Sequence, residues 1–179
     1  MSPWRLGCCP NFIGKSAIYG IMSQDMENID YIDRNILIIL QQDAGISLDD
    51  LSAQVALSRN ACWRRIKQME TNGTITRRVV QVNPQAVGLG LSVIVMIRAG
   101  RHDPQWLSQF RAAVQSIPEI LGVHRMSGDL DYVLRLRVGD VGEYDRIYQQ
   151  LIARVPLGDV SASFVMEDIK DTTALPIPV

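Results

Sequence analysis

A chain of 179 residues with 47% apolar and 21% charged residues is long enough for one ordinary domain or two small ones, and too apolar to be disordered. Its 18 lysines and arginines against 19 aspartates and glutamates leave a net charge of -1, which excludes a protein that coats nucleic acid over its whole surface but permits a local basic patch. Cys8, Cys9 and Cys62 make no disulfide framework, and His102 and His124 offer no zinc-ligand spacing, so the expectation is a reducing, cytoplasmic setting without metal or cofactor.

Residues 1–26 read as a leader, expected to be disordered or to lie upstream of a true start at Met22 or Met26. The first part is mildly apolar but broken by Pro3, Arg5, Pro10, Gly14 and Lys15, so it is neither a signal sequence nor a membrane span. From Ile29 the pattern becomes regular. Asp30 is placed to cap a helix striped by Ile32, Ile36, Leu37, Ile39 and Leu40 and stopped by Gly45. Ser47 and Asp50 make a capping-box-like start to a short second helix carrying Leu48, Leu51 and Val55. Ser58 caps a third helix, ended by Asn72 and Gly73. Ile75 to Val82 is β-branched with Arg77 and Arg78 and suits a strand or small wing, completing a domain over 27–82. The stretch 83–90, with Pro84, Gly88 and Gly90, is the expected linker.

Beyond it the periodicity alternates over 91–179. Leu91 to Ile97 is a strand; Leu107, Phe110, Val114 and Ile117 stripe a helix closed by Pro118; Ile120 to Met126 is a second strand. Gly128 and Asp129 turn into Tyr132 to Val138; Tyr144, Ile147, Leu151 and Val155 stripe another helix, and Val160 to Ile169 is the last strand. The order βαββαβ is the ferredoxin-like arrangement, making the whole an α+β chain.

The third helix carries the chemistry. At 3.6 residues per turn Cys62, Ile66 and Met69 share a face with Trp63 at its edge, while Asn60, Arg64 and Gln68 point the opposite way beside Arg65 and Lys67. Ser58 to Asn83 holds six basic residues against Glu70 alone, in a chain whose total charge is near zero. Such a footprint fits phosphate neutralisation with base reading: Arg can take guanine bidentately, Asn and Gln can take adenine, and the first turn of a recognition helix meets base edges. Arg59, Asn60 and Arg64 are therefore expected at bases, and Arg65, Lys67, Arg77 and Arg78 at phosphates. A merely solvated basic face would carry the same charges; the short second helix, tight turn and third helix together favour helix-turn-helix form and a double-stranded DNA operator. Cys62 on the buried side reads as packing rather than as a redox sensor.

In the second half, MSGDLDY places Asp129 and Asp131 two apart at a turn between strands. The pair could be a plain turn, an acid/base or metal pair, or a receptor for a small-molecule ammonium whose carboxylate rests on backbone N–H groups. No nucleophile, phosphate-cradling loop or metal cluster accompanies it, so no catalytic residue is assigned. Two rivals stay open: a small-molecule-sensing interaction module that does not bind DNA, and an enzyme using Asp129 and Asp131.

Together the motifs IDRNILIILQQDAGISLDDLSAQVALS, CWRRIKQMETNGTI, VNPQAVGLGL, SGDLDY and VSASFVMEDIKDTTALPI resemble the Lrp/AsnC (feast/famine) family of transcriptional regulators, from about Ile29 to Pro178. The segments PEILGVHRMSGDLDYVLRLRV and KDTTALPI look most like its DecR-type, cysteine-responsive branch. The resemblance implies an N-terminal winged helix-turn-helix and a C-terminal ferredoxin-like effector domain. It further implies homodimers through paired sheets, tetramers or octamers built from them, and an amino-acid effector between protomers near Met126, Gly128, Asp129, Asp131 and Tyr132. From the branch it implies L-cysteine. Two departures bear on DNA. Where many members carry prolines at the recognition helix this chain has Ser58, Arg59, Asn60 and Ala61, and Arg77 and Arg78 stand where a glycine and an aromatic are frequent.

Overall fold

The computed structural model describes residues 29–100 and 103–178, so the expected leader and His102 lie outside the described residues. These residues form two compact units, 29–79 together with 172–178, and 80–171. The last segment of the chain thus belongs with the N-terminal helices rather than with the domain expected over 91–179.

In the first unit, helix α1 (Tyr31–Gln42) starts at Asp30 in a true capping box. Asp30 accepts from the Asp33 N–H and Asp33 reaches back to the Asp30 N–H, satisfying two donors that the helix end leaves open. The helix ends earlier than Gly45, with Asp43 as its C-cap; Gly45 lies in the following turn, where its N–H donates to the Asp43 carboxylate. Helix α2 (Leu48–Gln54) and helix α3 (Arg59–Thr71) are capped by Ser47 and Ser58, each hydroxyl accepting from the backbone three residues on. Ile36, Leu37, Leu51, Cys62, Ile66 and Met69 close the core beneath them. Fully burying one such side chain is worth about 1.5–3 kcal/mol, which is what binds the three short helices into one body.

The turn between α2 and α3 bends at Ala56, the one non-glycine with positive φ (53°) among the described residues. A Cβ in the left-handed region is strained, and only glycine is relieved of it. Ala56→Gly is expected to stabilise this unit by about 0.5–1 kcal/mol in a chemical-denaturation titration, the strain relief outweighing glycine's entropy cost. A destabilisation of similar size would show that the turn is not strained.

The strand expected over Ile75 to Val82 does not form. Ile75 packs on the helical core, but Val79, Val80 and Val82 are exposed and no strand among the described residues pairs with them. A β-rich sequence becomes a strand only where a partner supplies the ladder.

The second unit opens with a 3-10 turn, Gln85–Val87, inside the expected linker. Strand β1 (Leu91–Arg98), helix α4 (Pro104–Gln115), β2 (Ile120–Arg125), β3 (Tyr132–Val138), helix α5 (Val141–Arg154) and β4 (Asp159–Phe164) follow in the βαββαβ order. The sheet runs β2-β3-β1-β4, each neighbour antiparallel. Alternation sends Val93, Val95 and Ile97 of β1 and Leu134, Leu136 and Val138 of β3 to one face, where they meet Phe110 and Val114 of α4 and Ile147 and Leu151 of α5. On the other face, which they share with Arg135 and Arg137, Ile94, Met96 and Val133 are only half-buried. Strand β4 is shorter than the sequence suggests. Its partner β1 begins at Leu91, Val93 already faces Phe164, and the Val165 N–H donates to the Ser92 carbonyl, so the end of β1 is reached within two residues of Phe164. Met166 and Ile169 are accordingly exposed.

Candidate nucleic-acid interface and effector turn

Helix α3 divides as its wheel predicts. Cys62, Ile66 and Met69 are buried, and Asn60, Arg64 and Gln68 are exposed on the opposite side. Burial pushes the Cys62 thiol pKa up, which keeps the group protonated and inert. Among the described residues no hydrogen bond or ion pair of the unit occupies the side chains of Asn60, Arg64, Gln68 or Arg77. Their donors are left for an outside acceptor.

The other basic residues differ. Arg65 turns back onto the capping box of α1, with Nη1 donating to Asp30 Oδ2 at 2.7 Å and to Asp33 Oδ1 at 2.9 Å. Asp33 is 8% exposed. The hydrogen bonds to Asp33 and then Asp30 raise the guanidinium pKa further, while the Asp33 N–H and, after it, Arg65 hold the Asp30 carboxyl below its ordinary value. Arg65, expected at a phosphate, is thus engaged inside the unit and ties α3 to α1: it stands about 100° round the helix from Arg64, on the side that meets the neighbouring helix. Lys67 and Arg78 share Glu70, at 2.7 and 3.1 Å, and Glu70 is held below its ordinary value chiefly by Lys67. Arg59 stands 3.5 Å from Asp49 of α2, both well exposed. Exposed pairs of this kind are weak and exchange readily for a phosphate. Ser58, whose hydroxyl caps the helix, is exposed at its start.

Trp63 is a residue the sequence pattern left at the edge of the buried stripe; it is 53% exposed. It lies one turn from both Arg59 and Lys67, in a row bordering Asn60 and Arg64. The signal was its 100° offset from Cys62, enough to carry a large side chain off a narrow core stripe.

In the second unit the turn after β2 is braced from three sides. The Met126 N–H donates to the Asp131 carbonyl (2.8 Å), the Asp131 N–H to the Ile97 carbonyl (3.0 Å), and the Asp131 carboxylate accepts from the Ala99 N–H (2.7 Å). Arg98 Nε donates to the Asp129 carbonyl at 2.9 Å. Gly128 has φ 124°, a conformation that L side chains rarely adopt. The turn residues Met126, Gly128 and Asp129 are exposed; Asp131 is half-buried and already engaged in holding the end of β1. Tyr132 departs from the expected effector set: it is 6% exposed, with its ring 4.7 Å from Phe110 and 5.7 Å from Trp106. Strand alternation from the exposed turn sends it to the core face. It also lines an open groove of about 630 Å³ between α4 and the edge strand β2, with Phe110, Val123, Arg111 and Arg125. The sequence pattern did not single out Arg98, although it stands as the charged end of the mostly apolar strand β1.

Residues 29–76 match the winged helix-turn-helix DNA-binding family, and residues 92–175 match the Lrp/AsnC ligand binding domain. The chain is 45% identical over 153 residues to the glutamate uptake regulatory protein of Zymomonas mobilis, covering 86% of this chain and 93% of that one. It is 43% identical over 150 residues to the DNA-binding transcriptional activator DecR of Escherichia coli, covering 83% and 99%. The transcriptional regulator NMB0573 from Neisseria meningitidis, solved as a complex with L-Met, superposes with a TM-score of 0.79 at 32% identity, over 82% of this chain and 96% of that one. The chain belongs to the Lrp/AsnC family of transcriptional regulators, on its DecR-like side.

Proposed function

We propose that the chain is a sequence-specific DNA-binding regulator whose arrangement of subunits responds to an L-α-amino acid. The observation that carries it is α3: a helix fixed by Cys62, Ile66 and Met69 that leaves Asn60, Arg64 and Gln68 exposed and, among the described residues, unengaged. In this reading Ser58, Arg59, Asn60, Arg64 and Gln68 approach base edges and Trp63 borders them. Lys67, Arg77 and Arg78 approach phosphates, and Arg65 holds the helix in place. The named relatives are regulators, and Asp129 and Asp131 receive no catalytic role. Among the described residues no helix is long and apolar enough to cross a membrane; we assign the protein to the cytoplasm.

The half-buried Ile94, Met96 and Val133 give the uncovered sheet face the apolar centre that a homodimer would close, with tetramers or octamers built on it. Two reading helices then meet successive major grooves about 34 Å apart on a pseudo-palindromic operator. The effector is held at the Gly128 turn, with Asp129 rather than Asp131 toward its ammonium, since Asp131 is committed to the Ala99 N–H. It acts by binding two subunit arrangements with different affinity.

L-cysteine is the first candidate, from the DecR-like resemblance; L-methionine accompanies a solved relative. Thermal denaturation with each of the twenty amino acids, cysteine under reductant, is expected to show a raised midpoint for one or a few, as mass action requires. That shift should vanish in Asp129→Ala while operator binding persists. No shift with any amino acid at millimolar concentration would contradict the effector half of the proposal.

A further inference from the structure

The last residues of the chain complete the DNA-binding unit. The Gln41 side chain on α1 pairs with both backbone groups of Leu175: its Oε1 accepts from the Leu175 N–H at 2.6 Å and its Nε2 donates to the Leu175 carbonyl at 3.2 Å. About two turns earlier on the same helix, Arg34 Nη1 donates to the Pro178 carbonyl at 2.9 Å. Between these two grips Ile177 packs against the core formed by Ile36, Leu51 and Ile66, while Leu175, two residues earlier, stays exposed. A glutamine amide presents to an extended backbone the donor and acceptor that a neighbouring strand would present. Pro176 and Pro178 restrict the segment to extended conformations, which lowers the entropy lost on docking.

The helix so gripped also supports the reading helix. Asp33, beside Arg34, holds Arg65 of α3, and Arg65 adjoins Arg64. At its other end the segment follows Asp168, whose carboxylate is paired with Arg137 of β3 at 3.0 Å, so residues 169–174 join a grip on the sheet to a grip on α1. We propose that residues 172–178 are a strap that fixes α1, and through the Asp30, Asp33 and Arg65 bracket the aim of α3. The strap gives the effector-binding unit a second covalent connection to the reading head, besides the one at 80–90. The effect on DNA rests on the regulator reading above; the grip on α1 does not.

The test compares the full chain, a chain ending at Asp171, and full-length Gln41→Ala by amide hydrogen exchange. The expected result is exchange about tenfold or more faster in α1 and α3 of both variants, with β1 to β4 unchanged. Unchanged exchange in α1, or acceleration throughout the sheet as well, would overturn the strap. Operator affinity measured on the same samples is expected to fall about fivefold or more in both variants. Equal affinities despite a loosened α1 would overturn its role in aiming the helix. Failure of the unaltered chain to bind DNA would sink the regulator reading while leaving the exchange result to decide the strap.

Discussion

Arg64→Ala is expected to lose about 1–3 kcal/mol of discrimination between the operator and a scrambled duplex, a reduction of roughly five- to 150-fold in the affinity ratio. The side chain sits in the middle of the exposed face of α3, one turn from Asn60 and one from Gln68, and no hydrogen bond or ion pair among the described residues uses its five donors. A guanidinium in that position can pair with two acceptors of one guanine, and its loss leaves both unsatisfied. The companion Arg77→Ala should weaken both duplexes alike and lower the slope of log affinity against log salt by about one. Competition titrations on the two duplexes separate the outcomes, since unchanged affinities for Arg64→Ala would remove it from base contact.

Arg65→Ala should act on stability instead, costing about 2 kcal/mol in denaturant unfolding of the first unit. The reason lies with Asp33: at 8% exposure its carboxylate would stay buried after losing the cation 2.9 Å away. The pH dependence has a defined sign. Because the folded Asp30 carboxyl lies below its ordinary value, held there by the Asp33 N–H and by Arg65, its stabilisation is fully present above the ordinary aspartate range. It is lost as pH falls through the lower, folded value. The difference between Arg65→Ala and the unaltered chain should therefore narrow from pH 7 to about pH 3. The variant should also keep the salt slope of DNA binding, where a phosphate contact would lower it. A stable variant with a reduced slope would return Arg65 to the phosphate group.

Much of this was legible in the sequence because it depends on neighbours along the chain. Asp30, Ser47 and Ser58 announce their helices, since a cap is made within three residues. The opposition of Cys62, Ile66 and Met69 to Asn60, Arg64 and Gln68 needs only the helical period. What stayed hidden depends on partners distant in sequence. Arg65 resembles Arg64 until Asp30 and Asp33, on another helix, claim it. Asp131 looks like a second ligand carboxylate until β1 brings the Ala99 N–H to it. Val79 to Val82 have strand composition but no strand to pair with, and Gln41 gives no sign of Leu175, 134 positions away. The strap was invisible for the same reason: its sequence says extended and apolar, and only the fold says against what.

The central claim is that α3 reads DNA, and its most direct measurement is fluorescence anisotropy of the full chain on a duplex from the region upstream of its own coding sequence. A scrambled duplex serves as the control, at about 50 and about 200 mM salt. Binding to the first duplex is expected to be tighter by about a thousandfold or more, with affinity for both falling steeply as salt rises. Equal binding to the two, or binding indifferent to salt, would contradict it.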